Sequence, residues 1–511
     1  MLARVRSCAI LGIDGIPLAV EVDNYPGMNK LLIVGLPDAA VKESQERVNS
    51  AIRNSGFRTP RGMTVVNLAP ADIRKEGSAL DLPIALGLLA ATEQMHGDKL
   101  TEYFVIGELA LNGAIRPVTG ALPMVISARD QKLRGILVPQ ENVREAGVVP
   151  GIDAIGVSTL QEAAAFMSGE SEITPFVTDV QGEFAKHEKA ALDLSDVKGQ
   201  AHVKRALTVA AAGGHNMLMI GPPGTGKTML ASRLPGILPD MTFDEALETT
   251  RVYSVANGSA GGQSLIVRRP FRSPHHTATT ISICGGGTGP RPNPGEVSLA
   301  HNGVLFMDEL PEFNRGALEV LRQPLEEGLV HIRRAMYSVT YPSRFMLIVA
   351  MNPCPCGCRT DPKRQCRCST GEIQRYMGRL SGPLLDRIDL HVDVPALSYE
   401  QIADKGTSGP TSEEVRRVVQ AARDIQRRRY DNAFTCNAHI DSAATRKHCV
   451  LESGADKLLQ TAIDQLGFSA RAYDKVLRVA RTLADLDHTD TIAENHVAEA
   501  IQYRSLDRQL F

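Results

Sequence analysis

Chemistry concentrates first in Gly221-Pro222-Pro223-Gly224-Thr225-Gly226-Lys227-Thr228, which follows the apolar run Met217-Leu218-Met219-Ile220 and leads into Met229-Leu230-Ala231. Glycines at this spacing let successive backbone N–H groups turn inward around phosphate oxygens, and a helix beginning at the end of the loop adds positive potential. Lys227 would hold the β- and γ-phosphates of ATP, and Thr228 would place its hydroxyl on Mg²⁺. A phosphate cradle binds nucleotide without splitting it, so a second group of residues is required. Gly303-Val304-Leu305-Phe306-Met307-Asp308-Glu309 supplies it, an apolar strand ending in two carboxylates, where open α/β sheets bind their ligands. Asp308 would hold Mg²⁺ and its water, and Glu309 would polarise the attacking water. Two acids after a strand otherwise read as a helix-capping pair. Paired with the upstream loop, they read as the hydrolytic half of one site.

A second cluster has metal chemistry. Five of the nine cysteines fall between 354 and 368, in Cys354-Pro355-Cys356-Gly357-Cys358 and Cys366-Arg367-Cys368. Four thiolates in tetrahedral geometry close a structural Zn²⁺ site. Cys354, Cys356, Cys366 and Cys368 form the symmetric set, leaving Cys358 spare or standing in for Cys356. The tight C-x-C spacing differs from the common C-x₂-C knuckle, and a reduced, metal-free loop is the rival reading.

These groups need strands to hold them. The runs at 217–220, 303–307 and 345–351 read as buried strands of a parallel sheet. Lys227 and Asp308 stand 81 positions apart, more than one strand–helix–strand step requires, so an insertion is implied. Within it, residues 257–270 read as a β-hairpin with a flexible tip, carrying Arg268 and Arg269, and a glycine-rich loop at 285–296 carries Arg291. His275 and His276 between them read as ordering the insert rather than as metal ligands. A turn at 327–337 puts Arg333 and Arg334 at a hairpin tip. These five arginines are candidate contacts to the backbone phosphates of a nucleic acid, contacts that would be sequence-independent and salt-sensitive. The rival for each is a solvated surface charge.

The rest of the chain sets the frame. Its 511 residues suit two to four domains, and 43% hydrophobic with 22% charged residues is ordinary globular composition. No apolar run approaches the roughly 20 residues needed to cross a bilayer, and the start lacks a signal-peptide core, so a cytoplasmic location with no membrane partner is expected. A formal charge of −2 gives no global pull toward nucleic acid, and the absence of Trp argues against a large base-stacking platform. Residues 1–168 alternate short strand-like runs with helical stretches, an α/β domain of their own. Residues 169–192 form a polar linker, 193–395 the nucleotide-binding α/β core with its inserts and cysteine cluster, 396–411 a second linker, and 412–511 a helical region.

Two resemblances sharpen this outline. Lys75-Glu76-Gly77-Ser78-Ala79-Leu80-Asp81-Leu82-Pro83, with the stretches at 107–113 and 116–120, resembles the proteolytic domain of Lon-type proteases. Aligned without gaps, that family's nucleophilic serine falls on Ala79, with Ser78 one place early, and its general-base lysine falls on Leu122. A serine without its base is a weak nucleophile. The resemblance therefore implies a non-proteolytic relative, in which Ser78 caps the helix near Asp81.

The second covers nearly the whole chain. The Lon-like start, residues 221–228, Pro270-Phe271-Arg272-Ser273-Pro274-His275-His276, the cysteine cluster and Leu384-Leu385-Asp386-Arg387-Ile388-Asp389-Leu390 resemble the ComM/YifB family of magnesium-chelatase-like AAA+ ATPases. The fold this implies is an α/β multidomain protein: a Lon-protease-like α/β domain, an AAA+ core with inserts and a carboxy-terminal helical lid. Backbone at 197–199 would contact adenine. Asn352, at the end of the strand at 345–352, would position the lytic water, with a turn-forming Asn before Pro353 as the rival. Arg387 would be an arginine finger reaching ATP on the adjacent subunit, with a buried Arg387–Asp389 ion pair as the rival. Arg471 would be a second sensor, with Arg478 as the alternative and a surface salt bridge as the rival for both. The implied function is Mg²⁺-dependent ATP hydrolysis by a homo-hexameric ring that drives branch migration on single-stranded or branched DNA when transforming strands join a chromosome. A magnesium-chelatase-type motor subunit acting on a protein partner, a Lon-like ATP-dependent protease and a module using ATP only as a clamp are the alternatives.

Overall fold

The computed structural model describes residues 2–504 apart from 73–74, 76, 186–191, 258–263, 288–291, 335–336, 362, 399–408, 433–434 and 467–468. The amino-terminal unit is built on a seven-stranded mixed sheet in the order Lys30–Val34, Met63–Ala69, Asp14–Tyr25, Leu2–Leu11, Tyr103–Val105, Gly135–Pro139, Asp153–Val157. Its first two strands form a long antiparallel hairpin, and alternate residues at the start of Leu2–Leu11 are buried, as one covered face demands. Helix Asp81–Ala91 is buried along its whole length, which accounts for its uniformly apolar sequence after Asp81. Of the stretch 169–192, expected to be a linker, residues 186–191 lie outside the described residues and the part up to 185 is tied to this unit. Phe176 N donates to Ala154 O (2.9 Å), Thr178 N donates to Gly147 O (3.0 Å), and a short helix follows at Val180–Ala185.

The core is a five-stranded sheet in the order Phe271–Arg272, Val304–Met307, Met346–Met351, Met217–Ile220, Leu390–Asp393, with every neighbouring pair parallel. The strands Met217–Ile220, Val304–Met307 and Met346–Met351 are buried at every residue, as expected of strands covered on both faces. Met217–Ile220 lies between the fourth and fifth strands in chain order. Connections therefore leave its carboxyl end toward opposite edges of the sheet, the arrangement that opens a ligand crevice there.

The insertion differs from the hairpin expected at 257–270. Residues up to 257 complete a 15-residue helix, Phe243–Asn257, and 264–270 belong to no strand. Thr242 and Glu245 start that helix reciprocally, each side chain accepting from the other's backbone N–H (3.2 and 2.8 Å). The glycine-rich loop forms a two-residue ribbon, Gly285–Gly286 with Asn293–Pro294, and Arg291 lies outside the described residues. The hairpin Leu329–Arg334 with Tyr337–Pro342 forms as expected, with Arg333 opposite Ser338 and Arg334 opposite Tyr337 at its tip.

These elements also hold the two units together. Ile13 packs with Val252, Val339 and Tyr341 in one apolar cluster. Gly12, at φ +64°, approaches so closely that a Cβ there would stand 2.3 Å from Val339 Cγ1. Arg251 bonds Asp14 (2.7 Å), and Gly120 N donates to Ser254 O (3.1 Å). At the carboxy-terminal end, helices Ser412–Tyr430, Ser453–Leu466, Ala470–Leu486 and Glu494–Gln502 share one core with helix Ala201–Gly213. A further helix, Ser442–His448, lies between the first two.

Candidate nucleotide site and cysteine cluster

Residues 221–228 leave the carboxyl end of Met217–Ile220 as the sequence predicts. Gly221 N donates to Met351 O (3.2 Å), and a Cβ at Gly221 would meet Val394 O at 2.2 Å, so the loop starts wedged between two strand ends. Gly224 (φ +81°) and Gly226 (φ +88°) take left-handed backbone with open space where a Cβ would stand, which suits close approach of a ligand to the backbone. Thr225 Oγ1 closes the loop on Pro222 O (3.0 Å). Lys227 begins the helix Lys227–Ala231, and its buried ammonium donates to Gly221 O (2.7 Å), Pro222 O (2.9 Å) and Asn352 Oδ1 (3.2 Å). Burial lowers the Lys227 pKa from the ordinary lysine value, while Asp308 and Glu309 pull it the other way.

The other expected residues arrive from neighbouring strand ends. Thr228 Oγ1 donates to Asp308 Oδ2 (2.5 Å), which puts the two oxygen ligands expected for Mg²⁺ side by side. Glu309 follows in left-handed backbone (φ 51°, ψ 47°), with its N–H on Asp308 Oδ1 (2.9 Å) and its side chain exposed. Such a conformation costs a non-glycine residue on the order of 1–3 kcal/mol and persists where neighbours enforce it, often at reacting groups. Arg233 ties the same helix to the turn at 193–196, bonding Met229 O (2.9 Å), Asp193 O (2.7 Å) and Asp196 (3.2 Å).

Arg387 and Arg471 lie elsewhere. Asn216 precedes the strand Met217–Ile220 and donates to Arg387 O (2.9 Å), so Arg387 sits at the amino end of the sheet. Four strand residues separate the two ends by roughly 13 Å. A groove of about 550 Å³ at that end is lined by Arg387, Arg471, Lys475, Arg478 and Glu326. The rival Arg387–Asp389 pair does not form. Arg387 pairs with Glu326 and donates to Pro383 O, while Asp389 is taken by Lys475 (3.2 Å) and His215 (3.4 Å). Arg478 is held by Thr445 Oγ1 (3.4 Å) and Ala438 O (3.2 Å), whereas Arg471 is exposed.

The five arginines expected at nucleic acid divide. Arg269 is a correction. Its guanidinium is buried on Glu245 (2.9 Å) and bonds Pro239 O (2.7 Å) and Asn302 O (2.8 Å), which leaves nothing to offer a phosphate. Arg268 is exposed on a cleft with 235–241 and 411–416, and Arg333 is exposed at its hairpin tip beside Arg334.

The cysteine set assembles. One sulfur each from Cys354, Cys356, Cys366 and Cys368 lies within 4.8 Å of the others, and the closest pairs stand 3.5 and 3.7 Å apart. Zn–S bonds of about 2.3 Å in a tetrahedron set ligands roughly 3.8 Å apart, so the quartet fits Zn²⁺. Cys358 stays outside it, its thiol on Cys356 O (3.4 Å). Backbone N–H groups of Cys358 and Arg367 hold the Cys356 thiol down to about 6, toward the thiolate a metal requires, while burial raises Cys354.

Ser78 opens a 3₁₀ turn, Ser78–Leu80, and its hydroxyl donates to Glu108 instead of capping the following helix. Leu122, at the position of the missing base, has 0% exposure. Three residues escaped the sequence reading as site residues. His276 Nδ1 stands 3.7 Å from Glu309 Oε2, the buried Tyr376 hydroxyl lies close to the Asn352 N–H, and Glu326 holds Arg387. Only the His275-His276 pair was visible beforehand, and nothing local pointed it at Glu309.

A glycine-lysine loop, two acids and an amide converging at the carboxyl ends of a parallel sheet define a P-loop ATPase of the AAA+ type. The description "Magnesium chelatase, subunit ChlI" matches residues 193–402, "Subunit ChlI of Mg-chelatase" matches 20–142, and "Magnesium chelatase, subunit ChlI C-terminal" matches 409–504. The chain is 45% identical over 510 residues to protein YifB of Escherichia coli (strain K12), and 44% identical over 511 residues to competence protein ComM of Haemophilus influenzae (strain ATCC 51907 / DSM 11121 / KW20 / Rd). Each comparison spans 100% of this chain and 98% of the relative. Over 145 residues, 28% of this chain and 26% of the relative, it is 26% identical to Lon protease 2 of Bacillus subtilis (strain 168). The chain belongs to the YifB/ComM family of magnesium-chelatase-like AAA+ ATPases. Among the described residues no helix is long and apolar enough to cross a membrane.

Proposed function

We propose that the chain hydrolyses Mg²⁺-ATP as a homo-hexameric ring and uses that energy to translocate on DNA, driving branch migration as transforming strands are integrated. The observation that carries the ATPase step is the convergence of Lys227, Thr228, Asp308, Glu309 and Asn352 at one end of the sheet. ATP supplies the phosphoanhydride bond, and its Mg²⁺ neutralises charge developing on the phosphates. Residues 221–227 bind the phosphates, Thr228 and Asp308 hold the metal, Glu309 takes the proton of the attacking water, and Asn352 orients that water.

The separation of the arginines supports the ring: Arg387 and Arg471 share a groove a sheet's length from their own chain's loop, so acting on ATP would require a second copy to present its own. A guanidinium aimed at the γ-phosphate in this way stabilises transition-state charge. The DNA step draws on the name of the competence relative and on Arg268, Arg333 and Arg334 as phosphate contacts. ATPase rates measured without DNA, with single strands and with branched duplexes test it. Stimulation by DNA supports the motor, and a rate indifferent to all three overturns the DNA step.

A magnesium-chelatase-type motor is the second reading, favoured by the family descriptions that match three stretches of the chain. It expects stimulation by a protein partner instead. The Lon-like protease reading has no support in the packing at Ser78 and Leu122.

A further inference from the structure

The cysteine quartet lies against the nucleotide site, and the contacts between them form a closed circuit. Asn352, which receives the Lys227 ammonium, is followed two residues on by Cys354, itself fully buried. Gly357 N returns to Cys354 O (2.9 Å), making a tight turn whose Gly357 lies at φ +76°. That turn is pressed on the phosphate loop. A Cβ at Gly357 would stand 2.6 Å from Pro223 Cδ and 3.8 Å from Asn352 Cγ, so glycine is required by both backbone and neighbour.

The chain then runs out to Cys366 and Cys368 and comes back. Ser369 and Glu372 cap helix Thr370–Met377 in a reciprocal box directly after Cys368. Tyr376, near the end of that helix and buried, brings its hydroxyl close enough to the backbone N–H of Asn352 for that dipole to pull its pKa down against burial. Both ends of the 352–376 segment therefore meet at Asn352, and the four sulfurs are the cross-tie between its outgoing and returning halves. Without a cross-tie, a loop of this length is held at its ends alone and keeps most of its conformational freedom.

We propose that Cys354, Cys356, Cys366 and Cys368, joined on Zn²⁺, are positioning residues for ATP hydrolysis: they fix Asn352 and press Gly357 against Pro223, so zinc loading sets nucleotide affinity and turnover. This rests on the reading of 221–228 as the ATP site. Gly357 is the contact through which the cluster touches the loop, and Tyr376 is the return contact that holds the amide. Displacements near 1 Å at groups like Asn352 cost on the order of 10²-fold in rate.

The test uses the full chain. Zinc content, affinity for a fluorescent ATP analogue (mant-ATP) and kcat are measured for the wild type, for Cys366→Ser with Cys368→Ser, for Gly357→Ala and for Cys358→Ser. Zinc is expected at one per chain in the wild type and in Cys358→Ser, with equal affinity and kcat in both. The double serine variant loses zinc, binds the analogue about tenfold more weakly and turns over on the order of 10²-fold more slowly. Gly357→Ala keeps its zinc and still loses affinity, a result that a merely structural metal would not produce. In case the double variant fails to fold, wild-type protein is stripped with a zinc-selective chelator in excess Mg²⁺ and then refilled. Affinity and kcat are expected to fall and return with the metal. Folded, zinc-free protein that binds and hydrolyses ATP like the wild type overturns the proposal, as does wild-type protein purified without zinc. Zinc-loaded wild type that binds no mant-ATP refutes the ATP-site reading instead.

Discussion

The amino-terminal unit and the core each carry a glycine turn with a hydroxyl residue beside it, and their fates differ. At Ser78 the hydroxyl meets Glu108, and Leu122, where the Lon resemblance would put a base, packs in an apolar cluster. At Lys227 the loop meets groups from two other strands, Asp308 and Asn352. A loop carries chemistry only where partners distant in sequence arrive at the same strand ends. The amino-terminal unit meets the insert through Gly12, Asp14 and Gly120.

The strongest way to break this contrast is at the core loop. Lys227→Ala is expected to abolish nucleotide binding, whereas Glu309→Gln binds ATP normally and loses about 10²–10⁴-fold in kcat. Calorimetric titration beside turnover assays separates the two, and equal loss of binding in both variants would contradict the assigned roles. Next in size is Arg269→Ala, expected to destabilise the fold by about 3–5 kcal/mol because it strands Glu245 as a buried, partly unpaired charge. Urea unfolding measures it. A well-folded variant with weakened DNA affinity would restore the phosphate-contact role that the packing denies.

The joint between the regions is sharpened by pH. Burial works against the Glu248 charge, but His301, its Nε2 3.1 Å away, and the hydrogen-bonded Arg344 (3.0 Å) outweigh it and hold its pKa at about 2, below the ordinary 4.5. Burial dominates at His301, whose pKa falls, so Arg344 is the permanent cation of the trio. A carboxylate with a lowered folded pKa stabilises above its unfolded pKa, and that stability is lost as pH falls from about 4.5 toward 2. Glu248→Gln is expected to cost roughly 2 kcal/mol at pH 7, about half of that near pH 3 and little near pH 2, read from thermal unfolding across that range. The smallest effect belongs to Ser78→Ala. ATPase activity is expected unchanged and stability within about 1 kcal/mol, and casein is cleaved by neither form. Casein cleavage lost in the variant would overturn the non-proteolytic reading.

Much of the core site was legible because its signals are local. The strands at 217–220, 304–307 and 346–351 are continuous apolar runs, and Lys227, Thr228, Asp308, Glu309 and Asn352 stand at or just beyond their carboxyl ends. The cysteine cluster and its symmetric quartet were legible from spacing, but spacing left Cys358 open as a stand-in for Cys356, and only the folded loop sets it outside the group. Helix Phe243–Asn257 was hidden because part of its buried side is threonine. Thr249 and Thr250 satisfy their hydroxyls on Glu245 O (2.8 Å) and Ala246 O (2.7 Å), so the apolar period is broken in sequence though not in space. Arg269 and the rival Arg387–Asp389 pair misled for another reason. The partners of the two arginines, Glu245 and Glu326, lie 24 and 61 positions away, and no local pattern names them.

The central claim is that one copy grips ATP while a neighbour completes its hydrolysis, and mixing two inactive variants tests it most directly. Arg387→Ala alone is expected to bind ATP and lose about 10³-fold or more in rate, and Lys227→Ala alone not to bind. When the two are combined, some interfaces pair an intact loop with an intact Arg387, and ATPase activity is expected to return in part, in proportion to such interfaces. Two stably folded variants that co-assemble yet recover no activity in any ratio would contradict a site shared between copies.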